Sequence, residues 1–201
     1  TSLTISNLYK YEIDSQGAAS SGTEWRVIAD NNTTKITDLY APSGGGNKDV
    51  CKNNPDPPVK RGWYIDLKVK GSTTNTGERV IVPALLRHDR AIFTTLEPSQ
   101  AFCSPGGKSW VMEMTAQSGA PLTYGIFDIN NDNYISSSTS STDTGGACGD
   151  CVKNSANKTS LVSGVSTGDM GIIKTPTIVT AGDVEYKLGS GSAEGELVVI
   201  K

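Results

Sequence analysis

An all-β domain is the architecture written into these 201 residues, and three features point to it. Ser, Thr and Asn are abundant and 22 glycines are scattered without a period, a composition that suits short strands joined by turns. Helical periodicity is absent almost everywhere. In its place, short runs rich in Thr, Tyr, Ile and Val alternate with clusters of turn-forming residues. With 36% hydrophobic residues the chain can build one real core, so residues 1–201 are read as a single domain.

The strand candidates follow in order. Leu3-Thr4-Ile5 leads into Leu8 to Ile13, and a small-residue loop from Gly17 to Gly22 precedes Trp25-Arg26-Val27-Ile28-Ala29. Residues 41–60 read as a surface insertion, punctuated by Pro42, Gly44-Gly45-Gly46 and Pro55-Asp56-Pro57-Pro58. Trp63 to Val69 restores the strand signal. Arg79 to Leu86 follows, with Pro83 marking an edge or a bulge. His88-Asp89 is the turn into Ala91 to Leu96. Trp110 to Met114 then turns at Gln117-Ser118-Gly119 into Leu122-Thr123-Tyr124. Near the C-terminus Thr177-Ile178-Val179, Val184 to Leu188 and Glu196 to Ile200 are separated by Gly-rich turns. A strand-turn-strand repeat of roughly 40 residues is how propeller blades read in sequence.

Charge and hydropathy exclude two classes of partner. The net charge of -3 is evenly spread, with no basic stripe to follow a nucleic-acid backbone. No apolar run approaches the roughly 20 residues of a transmembrane helix. The chain opens at Thr1 without Met or a signal peptide, and Leu197 to Lys201 stops inside a strand-like run; a piece of a longer protein is the expectation.

Four cysteines stand at Cys51, Cys103, Cys148 and Cys151. Cys148-Gly149-Asp150-Cys151 is compatible with a zinc knuckle, a redox motif or a local disulfide. Zinc would want a second close pair or histidines, and His88 is the only histidine. A redox CxxC opens a helix in a βαβ unit, whereas this one sits in a Gly/Ser/Asn-rich loop. Structural disulfides in an oxidising compartment are expected, with Cys148–Cys151 and Cys51–Cys103 the first pairing to test among three.

The sharpest chemical signal is Asp128-Ile129-Asn130-Asn131-Asp132-Asn133-Tyr134-Ile135-Ser136. Oxygen side chains fall at loop positions 1, 3, 5 and 9, as a calcium loop needs them to converge. Tyr134 at position 7 offers its carbonyl, and Ile135 at position 8 is expected to pack inward. Position 6 usually requires positive φ, which Asn133 tolerates best after Gly. Position 12 is Thr139 rather than a bidentate carboxylate, and Ser136 is a weak ligand. Affinity should therefore be modest unless Asp143, Asp150 or Asp169 folds in. The competing reading is an Asx-rich turn without metal.

Other segments carry less. Gly189 to Gly195 suggests a dinucleotide loop but lies between two strand-like runs, so a hairpin turn is expected. Arg87-His88-Asp89-Arg90 lacks a nucleophile elbow. Glu97, Glu113 and Glu185 could form a carboxylate pair, but each is more often a solvated strand residue. Trp25, Trp63 and Trp110 could stack sugars, but core packing is the better expectation.

Several of these residues come in a familiar order. Arg61-Gly62-Trp63-Tyr64-Ile65-Asp66-Leu67, Gly77-Glu78-Arg79-Val80 and Ile92-Phe93-Thr94-Thr95-Leu96-Glu97-Pro98-Ser99 are followed by Cys103-Ser104-Pro105-Gly106-Gly107. Trp110-Val111-Met112-Glu113, Phe127-Asp128 and Thr175-Pro176-Thr177-Ile178 complete the series. The chain resembles the C-terminal domain of the PilC/PilY family of type IV pilus tip adhesins and biogenesis factors over most of residues 61–200, and more loosely from Leu3 to Asn31. The resemblance implies a partial, modified β-propeller of short antiparallel blades, secreted and carried at the pilus tip, without the family's large N-terminal adhesive region. Its implied partners are minor pilins of the tip and a host or environmental surface receptor. It also implies a Ca2+ loop that controls pilus extension and retraction. Carried over residue by residue, the ligands are Asp128, Asn130, Asp132, the Tyr134 carbonyl and Ser136, where the family usually has Asp. The insertion at 41–60 and the Cys148–Cys151 loop are peculiar to this member. A non-enzymatic module is thus expected, the alternatives being a propeller-type enzyme and a calcium-dependent carbohydrate-binding domain.

Overall fold

The computed structural model describes residues 8–29, 62–99, 106–139, 148–166, 171–182, 184–190 and 197–200. Cys51, Cys103, the expected insertion at 41–60, Leu3 to Ile5, Asp143 and Asp169 lie outside them. Among the described residues every regular element is a strand.

The chain opens with a hairpin. β1 (Tyr9–Ala18) and β2 (Glu24–Ile28) pair antiparallel across a turn closed by the Ala19 amide on the Thr23 carbonyl at 2.8 Å. β3 (Trp63–Val69) lies on the other side of β1 and runs parallel to it, from Tyr9 opposite Trp63 to Glu12 opposite Asp66. The expected run Arg79 to Leu86 is two short strands, β4 (Arg79–Val80) and β5 (Leu85–Arg87), both edging β6 (Arg90–Pro98). The interruption falls around Pro83, whose missing amide cannot join a ladder. His88 (φ 47°) and Asp89 (φ 61°) make the expected tight turn, since two left-handed residues match the twist of flanking strands.

β6 and β7 (Gly107–Thr115) form the longest ladder, from Arg90 opposite Thr115 to Pro98 opposite Gly107. Leu122 to Tyr124, expected to be a strand, is irregular. β8 (Cys151–Lys153) and β9 (Thr159–Leu161) form a small hairpin. β10 (Gly164–Ser166) then inserts between β2 and β7, antiparallel to both. The sheet order is thus β3-β1-β2-β10-β7-β6-β4, eight strands with β5 included. β11 (Thr177–Ala181), β12 (Val184–Ser190) and β13 (Leu197–Ile200) form a separate antiparallel meander of the blade kind. Apart from that meander and the β8–β9 hairpin, the strands share one continuous sheet, and the β1–β3 pair is parallel.

Both faces of the large sheet are buried, which is why its central strands read as unbroken apolar runs rather than alternating ones. One core gathers Val27, Ile92, Val111, Phe127, Ile129, Val165 and Ile173. The other holds the next residues along the same strands: Ile28, Phe93, Met112 and Met114, with Tyr11, Ile13 and Trp110. Trp110 is 1% exposed, and Trp63 donates its indole N–H to the Ala116 carbonyl at 2.8 Å, so these rings pack rather than stack a ligand. Arg26 lies over the Trp110 ring at 3.7 Å and forms a two-pronged pair with Glu78, at 2.6 and 2.8 Å.

Candidate metal centre

The loop Asp128–Ser136 grows directly out of the core. From Phe127 to Asn130 the residues alternate, with Phe127 and Ile129 buried and Asp128 and Asn130 half-buried. Burial of Phe127 and Ile129 anchors the loop, so Asp128 and Asn130 are turned out of the core on the period of an extended chain. Ile135, expected to be the anchor, is only half-buried.

The backbone then folds back over the Asp128 carboxylate. Its Oδ1 accepts the Asp132 amide at 3.2 Å and its Oδ2 the Asn133 amide at 3.0 Å. Asn130 Oδ1 also accepts the Asp132 amide, at 3.1 Å, and Asp132 Oδ1 accepts the Tyr134 amide at 2.8 Å. The Asn130 side-chain amide donates to Asp132 Oδ2 at 2.9 Å. This requires left-handed turns at Asn131 (φ 62°) and Asn133 (φ 69°), the second at the position where the sequence spacing demands it. Asp128, Asn130 and Asp132 are thereby brought together.

Ser136 is placed differently. It is fully buried, and its Oγ accepts the Asp150 amide at 3.3 Å. Gly125 packs beneath it, where a Cβ would come within 1.9 Å of the Ser136 carbonyl oxygen. Thr139 is exposed. The residue that sequence spacing could not single out is Asp150. It is 2% exposed, and its carboxylate accepts the Ile129 and Ser136 amides, each at 2.8 Å. Burial, with the Asp128 charge adding to it, pushes the Asp150 carboxyl above the ordinary carboxylate range although those amides draw it down. Asp150 lies within a ring closed by the Cys148–Cys151 disulfide, the pairing expected for these cysteines.

Among the described residues no three His, Cys, Asp or Glu side chains gather as a metal cluster. What the loop gathers is the two carboxylates of Asp128 and Asp132 and the Asn130 amide oxygen, while the expected ligand Ser136 turns its hydroxyl to the Asp150 amide instead. Such an all-oxygen set fits a hard cation of calcium size rather than zinc or copper.

Beside the loop lies a cavity of about 370 Å³, lined by Tyr124 and Ile135 on one side and by His88, Arg90, Glu185 and Lys187 on the other. Its charges are already matched. Arg90 Nη1 donates to Glu113 at 2.8 Å and Nη2 to Glu185, while Arg87 Nε reaches Glu185 at 2.7 Å. Lys187, 1% exposed, is 2.9 Å from Glu113. Burial would raise the Glu185 pKa, but the hydrogen bonds and charges of Arg90 and Arg87 hold it down at about 2. Glu113 and Glu185 are thus bridged by one guanidinium rather than facing each other across an open space, as a hydrolytic pair would. Glu97 stands apart in β6, paired opposite Lys108.

No family model matches the chain. It is 41% identical over 61 residues to the "Type IV pilus biogenesis factor PilY1 homolog" of Xylella fastidiosa, 30% of this chain and 4% of that protein. It is 22% identical over 135 residues to the "Type IV pilus biogenesis factor PilY1" of Pseudomonas aeruginosa, 67% of this chain and 10% of that protein. The chain therefore matches only a small part of each relative's length. Its fold superposes on the crystal structure of the Pseudomonas aeruginosa PilY1 C-terminal domain with a TM-score of 0.60 and 18% identity, over 99% of this chain and 32% of that one. The chain is thus similar in sequence to PilY1 proteins of two species and shares the all-β fold of the PilY1 C-terminal domain.

Proposed function

We propose that the chain is a calcium-binding, non-enzymatic module of a type IV pilus biogenesis and adhesion factor. It works at the bacterial cell surface, at the pilus tip, among minor pilins and against a surface receptor. The pilus role is supported by the similarity to PilY1 proteins of two species. The observation that carries the calcium reading is the convergence of Asp128, Asn130 and Asp132 around a backbone turned left-handed at Asn131 and Asn133. A cation bound there ties the loop to the core through Phe127 and Ile129, so that pilus extension and retraction respond to calcium. The pairing of Glu113 and Glu185 with Arg90 supports a non-enzymatic role.

The test is thermal unfolding of the full chain in excess calcium and in a chelator. A ligand bound only by the folded state stabilises it by about 2.7 kcal/mol at a hundredfold excess over Kd, so the midpoint should rise by several degrees. Asp132→Ala should abolish the rise. A midpoint that ignores calcium, or that moves equally in Asp132→Ala, refutes the reading.

A further inference from the structure

The ligand-bearing segment is held at its base by a residue outside it. Ile129 and Ser136 stand at positions 2 and 9 of the loop, and the Asp150 carboxylate takes both their amides, one on each oxygen. The Asp150 amide in turn donates to Ser136 Oγ. One buried side chain therefore sets the distance between the two ends of the loop. Its own backbone is fixed by the Cys148–Cys151 ring, across which the Cys151 amide also reaches the Cys148 carbonyl at 3.4 Å. So short a ring removes little freedom from the unfolded chain compared with a long loop. Its effect falls on the local backbone, which is where Asp150 sits.

Resting on the calcium reading above, we propose that Asp150 is the positioning residue of the cation loop and that the Cys148–Cys151 disulfide braces it. Asp150 acts through the backbone that carries the ligands, because it is buried at the base of the loop, 2% exposed, with its oxygens on the Ile129 and Ser136 amides. Loss of such outer-shell partners typically lowers metal affinity by about 10–100-fold.

The experiment compares the full chain with Asp150→Asn and with the double variant Cys148→Ser/Cys151→Ser. Two readouts are taken at a temperature where all remain folded by circular dichroism. Amide hydrogen exchange at Ile129 and Ser136 is followed by NMR in chelator, and calcium affinity is measured by calorimetry. Both variants should exchange faster at these two amides while the amides of β6 and β7 keep wild-type protection, and both should lose about 10–100-fold in calcium affinity. The cysteine variant keeps the Asp150 charge, so its loss separates bracing from electrostatic attraction. Wild-type exchange and affinity in the cysteine variant overturn the brace; the same in Asp150→Asn overturns the whole proposal. If Asp150→Asn does not fold, the cysteine variant decides alone. A wild-type chain that takes up no calcium refutes the cation reading, and the exchange rates then still decide whether the latch exists.

Discussion

Two neighbouring regions concentrate charge in opposite ways. In the sheets, Arg90 lies between Glu113 and Glu185, Lys187 reaches Glu113, and Arg87 reaches Glu185. Every carboxylate there has a basic side chain of the protein against it. In the loop, and among the described residues, Asp128 and Asp132 accept backbone and Asn hydrogen bonds and no Lys or Arg pairs with either. The first region is electrically closed and serves the fold. The second leaves negative charge that no basic side chain among the described residues answers. Charge density alone would have marked the sheet network as the site, whereas charge balance marks the loop.

The strongest way to break this comparison is Glu113→Ala. It strands Lys187 in the core and leaves Arg90 with Glu185 as its carboxylate partner, and breaking a buried pair from one side costs about 3–5 kcal/mol. Urea unfolding should show that loss equally with calcium and with chelator. A calcium-dependent loss would mean that the two regions are one. The calcium-linked rise in the unfolding midpoint, absent in Asp132→Ala, is next in size and belongs to the loop alone.

Acid sharpens the contrast. The Glu185 pKa is depressed in the folded state from 4.5 to about 2, so its contribution is fully present above the unfolded value. It is lost as pH falls from about 4.5 through about 2. Melting curves over that window should fall more steeply for wild type than for Glu185→Gln, and parallel curves would remove Glu185 from the network's stability. The smallest effect belongs to Lys10→Ala. The Lys10–Asp66 pair, at 3.5 Å with both side chains about half exposed, should change stability by no more than about 0.5 kcal/mol.

Much of the fold was legible in the sequence because strand formers and turn formers alternate so plainly. β1, β2, β3, β6, β7, β11, β12 and β13 fall on the expected runs, and the His88-Asp89 turn and the Cys148–Cys151 bridge are where they were expected. β8, β9 and β10 are three residues each, too short to show a period. The parallel pairing of β1 with β3 depends on contacts across more than 50 residues of chain, which no local pattern records. Within the loop, the left-handed Asn133 followed from spacing. Asp150 is one of three remote carboxylates the sequence offers to the loop, and spacing cannot choose among them, because a single carboxylate arriving from 14 residues beyond Ser136 leaves no periodic trace. Glu113 reads as a solvated strand residue, since sequence does not show that it will be buried against Lys187.

The placement of β10 bears on how the large sheet closes. β3, β1 and β2 come from the first part of the chain, with β1 and β3 meeting across more than 50 residues, and β4, β6 and β7 come from the middle. Among the described strands only Gly164–Ser166 joins the halves, with Val165 opposite Trp25 on one side and Val111 on the other. Fitting it requires a glycine, because a Cβ on Gly164 would lie 2.1 Å from the Met112 sulfur. Contacts of such long sequence separation close slowly. The β2–β10 pairing, Trp25 against Val165, spans the greatest sequence separation in the sheet, and by that measure it is expected to close last.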